Sequence, residues 1–372
     1  MPFVLGAQLC VLIVFCYLTS IYGASTASCG CSSLNIPVHV DILIPKDPAD
    51  PFGGLKSNAS SLRHLNATYD VFGVFCQPNT VPPKNAGQFN DVVQLLFHGF
   101  TYTQQYWSPP TEEFRNYSYT AFACNRGMST LAIDWVGVGL SSRPVNASDV
   151  QYATSSAVAS NLAHRLKTTS ILPGVRPFKK IIGIGHSAGS VLLNFGAIFE
   201  GARFPFDGLI LTAGLIVQPT TMSGIPSMFT SARDDTPLRW GTLDPNYITT
   251  SNRSIFYPAN TTSFSPRMLI FDTLTKDVGS LASLLQLGSN SLTAHYTGHV
   301  AKVVGSEDQA LCADGRCADV AALNSVESVL WPEAKSFEVV VAQGSGHDMN
   351  LDFFADRPFN TFVDFVEQFT AV

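Results

Sequence analysis

Two segments near the start of the chain alternate apolar and polar residues, which is the pattern of strands that bury one face. They are residues 36–45 (IPVHVDILIP) and 67–76 (ATYDVFGVFC), and both are rich in β-branched and aromatic side chains. A polar stretch separates them. The pattern therefore predicts two antiparallel strands joined by a loop.

Later in the chain, short and nearly continuous apolar runs alternate with segments of helical periodicity. The apolar runs, which are typical of strands buried on both faces, are residues 91–97, 129–136, 180–184, 208–215, 301–305 and 336–343. The helical segments are residues 148–168, with Ser148 as a candidate N-cap, 188–199, 267–288 and 351–370. Strands that alternate with helices after an opening hairpin predict an α/β fold, with a mostly parallel sheet covered by helices on both faces.

One interval interrupts this alternation. Residues 216–266 are irregular and rich in Pro, Ser and Thr, and the interruption as a whole spans about 216–295, after the sixth predicted strand. Open α/β sheets place their sites at the carboxyl ends of the strands. We therefore expect the interval to form a cap over that edge of the sheet.

The N-terminus indicates the compartment of the protein. Residues 3–21 are mostly apolar, and small residues follow from Gly23 to Ala27. This pattern predicts a signal peptide at 1–23 and one domain over 24–372. The alternative is an uncleaved anchor, because the apolar run is nearly long enough to span a bilayer. After signal cleavage, we expect no stable membrane span.

Sequons and cysteines agree with export. Six asparagines stand in N-x-Ser/Thr sequons without a central Pro and are candidate glycosylation sites: Asn58, Asn66, Asn116, Asn146, Asn252 and Asn260. Cys10 and Cys16 would leave with the signal peptide. Six cysteines then remain, which allows three disulfides with a connectivity that the sequence leaves open: Cys29, Cys31, Cys76, Cys124, Cys312 and Cys317. The last two are close enough to pair across a short loop, and the other four could tie the N-terminal segment to the early sheet.

The composition bounds the classes of function. Of the 372 residues, 46% are apolar and 13% are charged, so the chain can bury a large core. The formal net charge is −6, and the Lys and Arg residues form no dense cluster. A nucleic-acid partner therefore has no electrostatic support.

The strongest chemical motif is Gly185-His186-Ser187-Ala188-Gly189. It satisfies Gly-x-Ser-x-Gly, follows a predicted strand and precedes a predicted helix. In that context the serine stands on a tight turn with its hydroxyl clear of the backbone, and the glycines avoid collisions with neighbouring elements. The motif predicts Ser187 as a nucleophile.

The chain here resembles the α/β-hydrolase superfamily, in particular secreted, fungal-looking members of the serine esterase or lipase type with a GHSAG elbow and an insertion after the sixth strand. The resemblance covers nearly all of the chain after the signal segment. It rests on the order of landmarks: His98-Gly99 after the third strand, the elbow after the fifth, then an acid and a histidine. It implies the α/β-hydrolase fold.

The resemblance also implies partners for Ser187. His347, in Gly344-Ser345-Gly346-His347-Asp348, matches the terminal histidine loop of the family and is the expected base. Asp308 stands three residues after Gly305 at the end of a predicted strand and is the expected acid. Glu307 is adjacent to it, and Asp272 and Asp277 are weaker candidates because they lie on a predicted helix.

The oxyanion hole is expected to use two backbone N–H groups. Ala188, directly after the nucleophile, supplies one. By resemblance, Phe100 supplies the other, Gly99 lets the backbone approach, and His98 orders the loop. The chain lacks the longer HGGG run of some lipases.

These residues predict hydrolysis of a small-molecule or lipid-like carboxylic ester through an acyl-serine intermediate, without a cofactor. The alternatives are an acyltransferase or lactonase with the same triad, and a hydrolase-like binding protein that does no catalysis. No metal site is expected: His295 and His299 are four residues apart, but glycine between them disfavours a helix and no third ligand is evident.

Overall fold

The computed structural model describes residues 29–50, 59–80, 87–216 and 225–371. The predicted signal peptide at 1–23 and the sequon at Asn58 lie outside the described residues. The prediction of an α/β-hydrolase fold is confirmed: a large, mostly parallel sheet carries helices on both faces.

The main sheet formed by the described residues has eight strands in the order β1-β2-β4-β3-β5-β6-β10-β11. These strands are β1 Cys29–Pro45, β2 Leu62–Pro78, β3 Val92–Phe97, β4 Ser129–Ile133, β5 Lys180–His186, β6 Gly208–Thr212, β10 His299–Gly305 and β11 Ser336–Ala342. β1 and β2 pair antiparallel, as does β2 with β4, and the other neighbours pair parallel. The carboxyl ends of β3, β5, β6, β10 and β11 therefore meet at one edge.

Helices cover the sheet and also form much of the insertion. The α-helices among the described residues are α1 Tyr119–Cys124, α2 Tyr152–Thr168, α3 Ala188–Glu200, α4 Ala232–Asp235, α5 Pro237–Trp240, α6 Pro266–Thr275, α7 Leu281–Leu285, α8 Val320–Ser328 and α9 Asp356–Thr370. One hydrophobic core contains residues of α2 and α3, and a second contains residues of α1 and α9. The two cores occupy opposite faces of the sheet, because apolar side chains of successive strand residues point alternately to each face.

An insertion separates β6 from β10. Within it, β7 Phe229–Ser231, β8 Tyr247–Thr250 and β9 Gly279–Ser280 form a small antiparallel sheet. The predicted helix at 267–288 is wrong in its extent: α6 ends at Thr275, and the chain runs through β9 before α7 begins. The physical reason is that tertiary contacts occupy the backbone of Asp277: its N–H donates to the carbonyl of Thr101 at 2.8 Å, and its carbonyl accepts from the hydroxyl of Thr249 at 2.8 Å.

Other boundaries also differ from the sequence analysis. Ser148 is not an N-cap, because it lies in a 3-10 turn at Ala147–Asp149 and the helix begins at Tyr152 after Gln151. The runs at 129–136 and 208–215 end as strands at Ile133 and Thr212, since the residues that follow turn away to form loops at the sheet edge.

Three disulfides join the six cysteines of the described chain, as expected. Cys29 pairs with Cys124, Cys31 with Cys76, and Cys312 with Cys317. The first ties the start of β1 to α1, and the second joins the hairpin strands. Disulfides persist in oxidising compartments, so the three bonds suggest an extracellular protein. Of the helices in the described ranges, none combines the length and apolar character needed to cross a membrane.

Candidate active site

Ser187 stands on a sharp turn between β5 and α3. Its backbone has φ 50° and ψ −115°, a conformation that costs a residue with a side chain about 1–3 kcal/mol. The flanking glycines permit it: a Cβ on Gly185 would lie 2.5 Å from the carbonyl carbon of Gly189, and one on Gly189 would overlap the carbonyl oxygen of Phe97. The Ser187 N–H donates to the carbonyl of Thr212 at 2.8 Å. The turn thus presents the hydroxyl at the carboxyl edge of the sheet.

The structure brings the three expected side chains together. His347 lies in the loop between β11 and α9, and its Nε2 is 2.8 Å from the Oγ of Ser187. Its Nδ1 is 2.8 Å from Oδ2 of Asp308, in the loop after β10. The other carboxylate oxygen of Asp308 accepts the backbone N–H groups of Ala310 and Leu311, both at 2.9 Å. Asp308 is therefore oriented by its own loop.

The electrostatics around His347 favour its charged form. Burial alone would lower the pKa of His347, but the charge and hydrogen bond of Asp308 raise it above its ordinary value of 6.5, and the Asp348 charge adds to this. An imidazole in this setting accepts a proton from Ser187 readily, because the resulting imidazolium is stabilised.

The other candidate acids point elsewhere. Glu307 is exposed, whereas Asp308 is buried. Asp272 forms a buried ion pair with Arg253, with a shortest N–O distance of 2.6 Å. Asp277 pairs with Arg143 and with a second arginine of the insertion. Of the four carboxylates weighed from the sequence, Asp308 is the one that the structure places against His347.

Phe100 and Ala188 border the same cavity as Ser187. Neither backbone N–H takes part in a turn or loop hydrogen bond among the described residues. Gly99 allows the loop before Phe100 to approach the turn that carries Ser187, since a Cβ on Gly99 would lie 2.9 Å from the ring of His186. The N–H groups of Phe100 and Ala188 therefore remain candidate donors to a group bound beside Ser187.

The loop that carries Phe100 is ordered by buried contacts. His98 is fully buried; its Nδ1 lies 2.8 Å from the carbonyl of Gly99, and its Nε2 accepts the N–H of Trp135 at 3.2 Å. Burial lowers the pKa of His98 to about 3, so the ring is neutral and can accept this hydrogen bond. The next residue after Phe100 is Thr101, a β-branched residue with φ 64°.

The cavity at Ser187 is narrow and apolar. It encloses about 70 Å³. The side chains that border it besides the residues above are mainly aliphatic or aromatic: Tyr102, Val191, Ala213, Leu215, Ile225, Met228, Phe229, Phe256, Leu287, Ala310 and Leu311. Within the described part of the chain, the lining contains no Asp, Glu, Lys or Arg. A larger open groove of about 1060 Å³, lined by residues such as Tyr117, Phe122 and Asp356, contains none of the groups around Ser187.

A buried polar network behind the cavity was missed in the sequence analysis. Arg253 is 2% exposed, and its guanidinium forms a two-point ion pair with Asp272, at 2.6 and 3.1 Å. Its Nη1 donates to the hydroxyls of Thr101 at 2.8 Å and of Thr250 at 3.0 Å. Its Cζ stands 3.7 Å from the centre of the Tyr102 ring. No local motif marks Arg253, since Asp272, Thr101 and Tyr102 are distant from it in the sequence.

Asp348, directly after His347, belongs to the same network. Its carboxylate accepts a hydrogen bond from the hydroxyl of Tyr102 and lies 3.2 Å from Nε2 of His186. Burial raises the pKa of Asp348 to about 6, and burial, reinforced by the nearby His347, holds the pKa of His186 well below its usual value. A neutral His186 can donate to Asp348, which leaves the negative charge of Asp348 near His347. Its position beside the histidine is the one signal that the sequence offered.

Residues outside this site occupy separate places. His295 contacts Glu333, and His299 contacts Ser336, so the two histidines do not face a common point. Among the described residues, no group of three His, Cys, Asp or Glu could hold a metal ion. The sequon asparagines within the described ranges are exposed: Asn66, Asn116, Asn146, Asn252 and Asn260.

Comparisons with known proteins agree with this architecture. A sequence profile described as the Alpha/beta hydrolase family matches residues 94–365. None of the curated proteins compared with the chain matches it in sequence.

Solved structures resemble the chain at low sequence identity. An esterase from Exiguobacterium antarcticum is 14% identical with a TM-score of 0.52, and the match covers 80% of this chain and 96% of the esterase. A soluble variant of monoglyceride lipase from Saccharomyces cerevisiae is 16% identical with a TM-score of 0.54, over 82% of this chain and 93% of the lipase. An epoxide hydrolase from Vigna radiata is 13% identical with a TM-score of 0.51, over 89% and 98%. At these identities the likeness concerns the fold alone.

Proposed function

The chain belongs to the Alpha/beta hydrolase family, and on this premise we propose that it is a serine hydrolase that cleaves a carboxylic ester through an acyl-serine intermediate. One observation carries the proposal: Ser187, His347 and Asp308 form a continuous hydrogen-bonded chain, with 2.8 Å at each step, beside an apolar cavity. A serine hydroxyl is a weak nucleophile until a neighbouring base removes its proton, and His347 is placed to be that base.

In the first half of the proposed reaction, the Ser187 oxygen attacks the ester carbonyl and its proton passes to Nε2 of His347. Asp308 holds the Nδ1 proton, which fixes the tautomer and stabilises the imidazolium. The N–H groups of Phe100 and Ala188 stabilise the oxyanion. His347 then gives its proton to the alcohol as it leaves, and the acyl group stays on Ser187.

In the second half, His347 takes a proton from a water molecule, which attacks the acyl-serine. The second tetrahedral intermediate uses the same N–H groups. Its collapse returns the proton from His347 to Ser187 and releases the carboxylic acid. The groups of the chain complete this cycle without a cofactor.

The lining of the cavity favours an uncharged, apolar acyl group. A charged acyl group would lose its hydration without gaining a partner, because no Asp, Glu, Lys or Arg borders the cavity in the described chain. The volume of about 70 Å³ favours short acyl chains unless the insertion moves. We therefore propose esters of short, apolar acids as substrates.

A fluorophosphonate probe tests the nucleophile. The purified protein should be labelled at Ser187, and Ser187→Ala should abolish labelling and hydrolysis of p-nitrophenyl esters. Ser325→Ala, at an exposed serine of α8, is the matched control and should behave as the unmodified protein. Absence of labelling in the folded protein would favour a binding protein without catalytic activity.

The same triad could pass the acyl group to an alcohol or open a lactone. Product analysis with water and an added alcohol in competition separates these activities: free acid supports the hydrolase, and a new ester supports an acyltransferase. A lactone panel tests the third activity. A serine at the elbow disfavours epoxide hydrolysis, because epoxide hydrolases of this fold use an aspartate there.

We also propose that the protein is secreted after removal of residues 1–23, leaving a domain of residues 24–372 with the cap at about 216–295, and that it is glycosylated at its sequons. The three disulfides and the exposure of the described sequon asparagines support this. N-terminal sequencing of the exported protein tests the cleavage, and an intact N-terminus would favour the anchor. A mass decrease on treatment with an N-glycosidase tests the glycans at Asn58, Asn66, Asn116, Asn146, Asn252 and Asn260.

A further inference from the structure

The insertion packs directly on the loop that carries Phe100. The Phe229 ring meets the Phe100 ring edge to face, with centroids 5.1 Å apart. Gly279 of β9 lies so close that a Cβ there would overlap the Phe100 ring. The N–H of Asp277 donates to the carbonyl of Thr101 at 2.8 Å. The small sheet of the insertion therefore supports the loop of residues 98–101, which we call the oxyanion loop.

Thr101 is the point at which this support acts on the backbone. It has φ 64° although it is β-branched, so its conformation must be imposed by its surroundings. Its Oγ1 accepts from Arg253 at 2.8 Å, lies 2.7 Å from the hydroxyl of Thr250, and donates to the carbonyl of Phe100 at 2.6 Å. The hydroxyl thus connects the insertion to the peptide of Phe100.

We propose that Arg253 is a positioning residue for the oxyanion hole: through the Thr101 hydroxyl, it fixes the backbone that presents the Phe100 N–H to the reacting carbonyl. The inference rests on the proposed serine hydrolase. Arg253 does not border the cavity, so it acts through Thr101 rather than on the substrate. The insertion then positions a donor of the oxyanion hole, besides bordering the cavity through residues such as Phe229 and Phe256.

The geometry of Arg253 suits this task. Asp272 holds two of its nitrogens from one side, and Tyr102 and Phe256 cover the guanidinium plane. The planar fork is thereby fixed, and its remaining nitrogen points to Thr101. An oxyanion hole acts through donors that are oriented before the reaction, so a loosened Phe100 would weaken the transition state more than substrate binding.

Thr101→Val removes the hydroxyl but keeps the shape of the side chain and leaves the Arg253–Asp272 pair intact. We expect kcat to fall roughly tenfold to a hundredfold with KM little changed, as for a displaced catalytic group. Thr101→Ser retains the hydroxyl and should keep most of the activity. Arg253→Lys should lower kcat as well. The double variant with Thr101→Val should be no worse than the more affected single variant, because both substitutions disrupt the same hydrogen bond between Arg253 and Thr101.

A transition-state analogue separates positioning from general damage. A trifluoromethyl ketone adds the Ser187 oxygen to give a tetrahedral oxyanion, so its affinity should fall in parallel with kcat/KM in Thr101→Val. The acid limb of the pH profile should stay in place, because His347 is untouched. Arg267→Met, which breaks an exposed ion pair between the insertion and Glu113, is the matched control and should leave kcat unchanged.

The inference is overturned if folded Thr101→Val keeps kcat within about twofold, if its affinity for the ketone is unchanged, or if Thr101→Ser is as impaired as Thr101→Val. Thr250→Val provides a second perturbation of the same hydroxyl if Thr101→Val does not fold. Labelling of the unmodified protein but not of Ser187→Ala establishes the serine hydrolase independently, so failure of this inference is distinguishable from failure of the proposed function.

Discussion

The candidate site has two halves of different origin, one carried by the main sheet and one supplied by the insertion. On the sheet side, local contacts hold Ser187 and Asp308: glycines shape the turn at Ser187, and the N–H groups of Ala310 and Leu311 orient Asp308. On the insertion side, Arg253 reaches Thr101 across 152 residues. The difference teaches that Ser187 and Asp308 are positioned by local structure, whereas the loop that carries Phe100 depends on how the insertion docks.

Two buried ion pairs differ in the same way, one linked to the site through the insertion and the other remote from the cavity. Arg253 and Asp272 join the insertion to the oxyanion loop. Lys302 of β10 and Glu327 of α8 are each 1% exposed and 2.6 Å apart, but neither borders the cavity. Glu327 also accepts the N–H of Ile216 at 2.8 Å. This second pair ties a helix and a loop to the sheet, so its expected role is stability alone.

The largest expected effect tests the sheet half. Asp308→Asn should lower kcat about 10⁴-fold, because the amide cannot hold the tautomer of His347 and cannot stabilise the imidazolium. Steady-state hydrolysis of a p-nitrophenyl ester measures the loss. Glu307→Gln, at the neighbouring exposed carboxylate, is the control; a loss there as large as in Asp308→Asn would make the choice of acid wrong.

Gly279→Ala tests the insertion half with a smaller effect. The new methyl group would overlap the Phe100 ring and displace either β9 or the oxyanion loop. We expect kcat to fall roughly tenfold while labelling of Ser187 by a fluorophosphonate still goes to completion, more slowly. An unchanged kcat in a folded variant would mean that the insertion does not constrain Phe100, which would remove the contrast between the halves.

Asp348→Asn removes a buried negative charge that contacts Tyr102 and His186 and lies near His347. The Asp348 charge helps to raise the pKa of His347, so its removal should lower that pKa. Because catalysis needs neutral His347, the acid limb of kcat/KM should move to lower pH, with the plateau above pH 8 little changed. A pH series at low substrate concentration measures this. Movement of the limb to higher pH would contradict the sign.

Lys302→Met should have the smallest effect on turnover. It leaves Glu327 buried without its cation and should lower the free energy of unfolding by about 3–5 kcal/mol, measured by urea denaturation. The kcat of the folded protein should remain within about twofold of the original. A specific loss of kcat would show that the pair under the sheet also acts on the site, against its assignment to stability.

The parts of the molecule that the sequence predicts are those set by local pattern. Alternation gives the hairpin, dense apolar runs give the parallel strands, and Gly185 with Gly189 marks the turn at Ser187. The helix predicted across 267–288 is wrong because tertiary contacts of Asp277 and Gly279 outweigh helix propensity at the break.

The insertion half of the site had no comparable local signal. Arg253 is one arginine among many in the sequence. Its burial and its ion pair with Asp272 arise only when the insertion packs against the sheet. Asp348 is adjacent to His347, but the sequence cannot show that Tyr102 and His186 face it. Such contacts arise between distant segments, and periodicity carries no information about them.

The disulfide between Cys312 and Cys317 bears on how the protein should be produced. It closes the loop that begins at Asp308, and the N–H of Cys312 donates to the carbonyl of Asp308 at 2.7 Å. In a bacterial cytoplasm the thiols would stay reduced, and we expect much of the recombinant material to be poorly active even where it remains in solution. A periplasmic or secretory host is therefore the appropriate source of protein for kinetics.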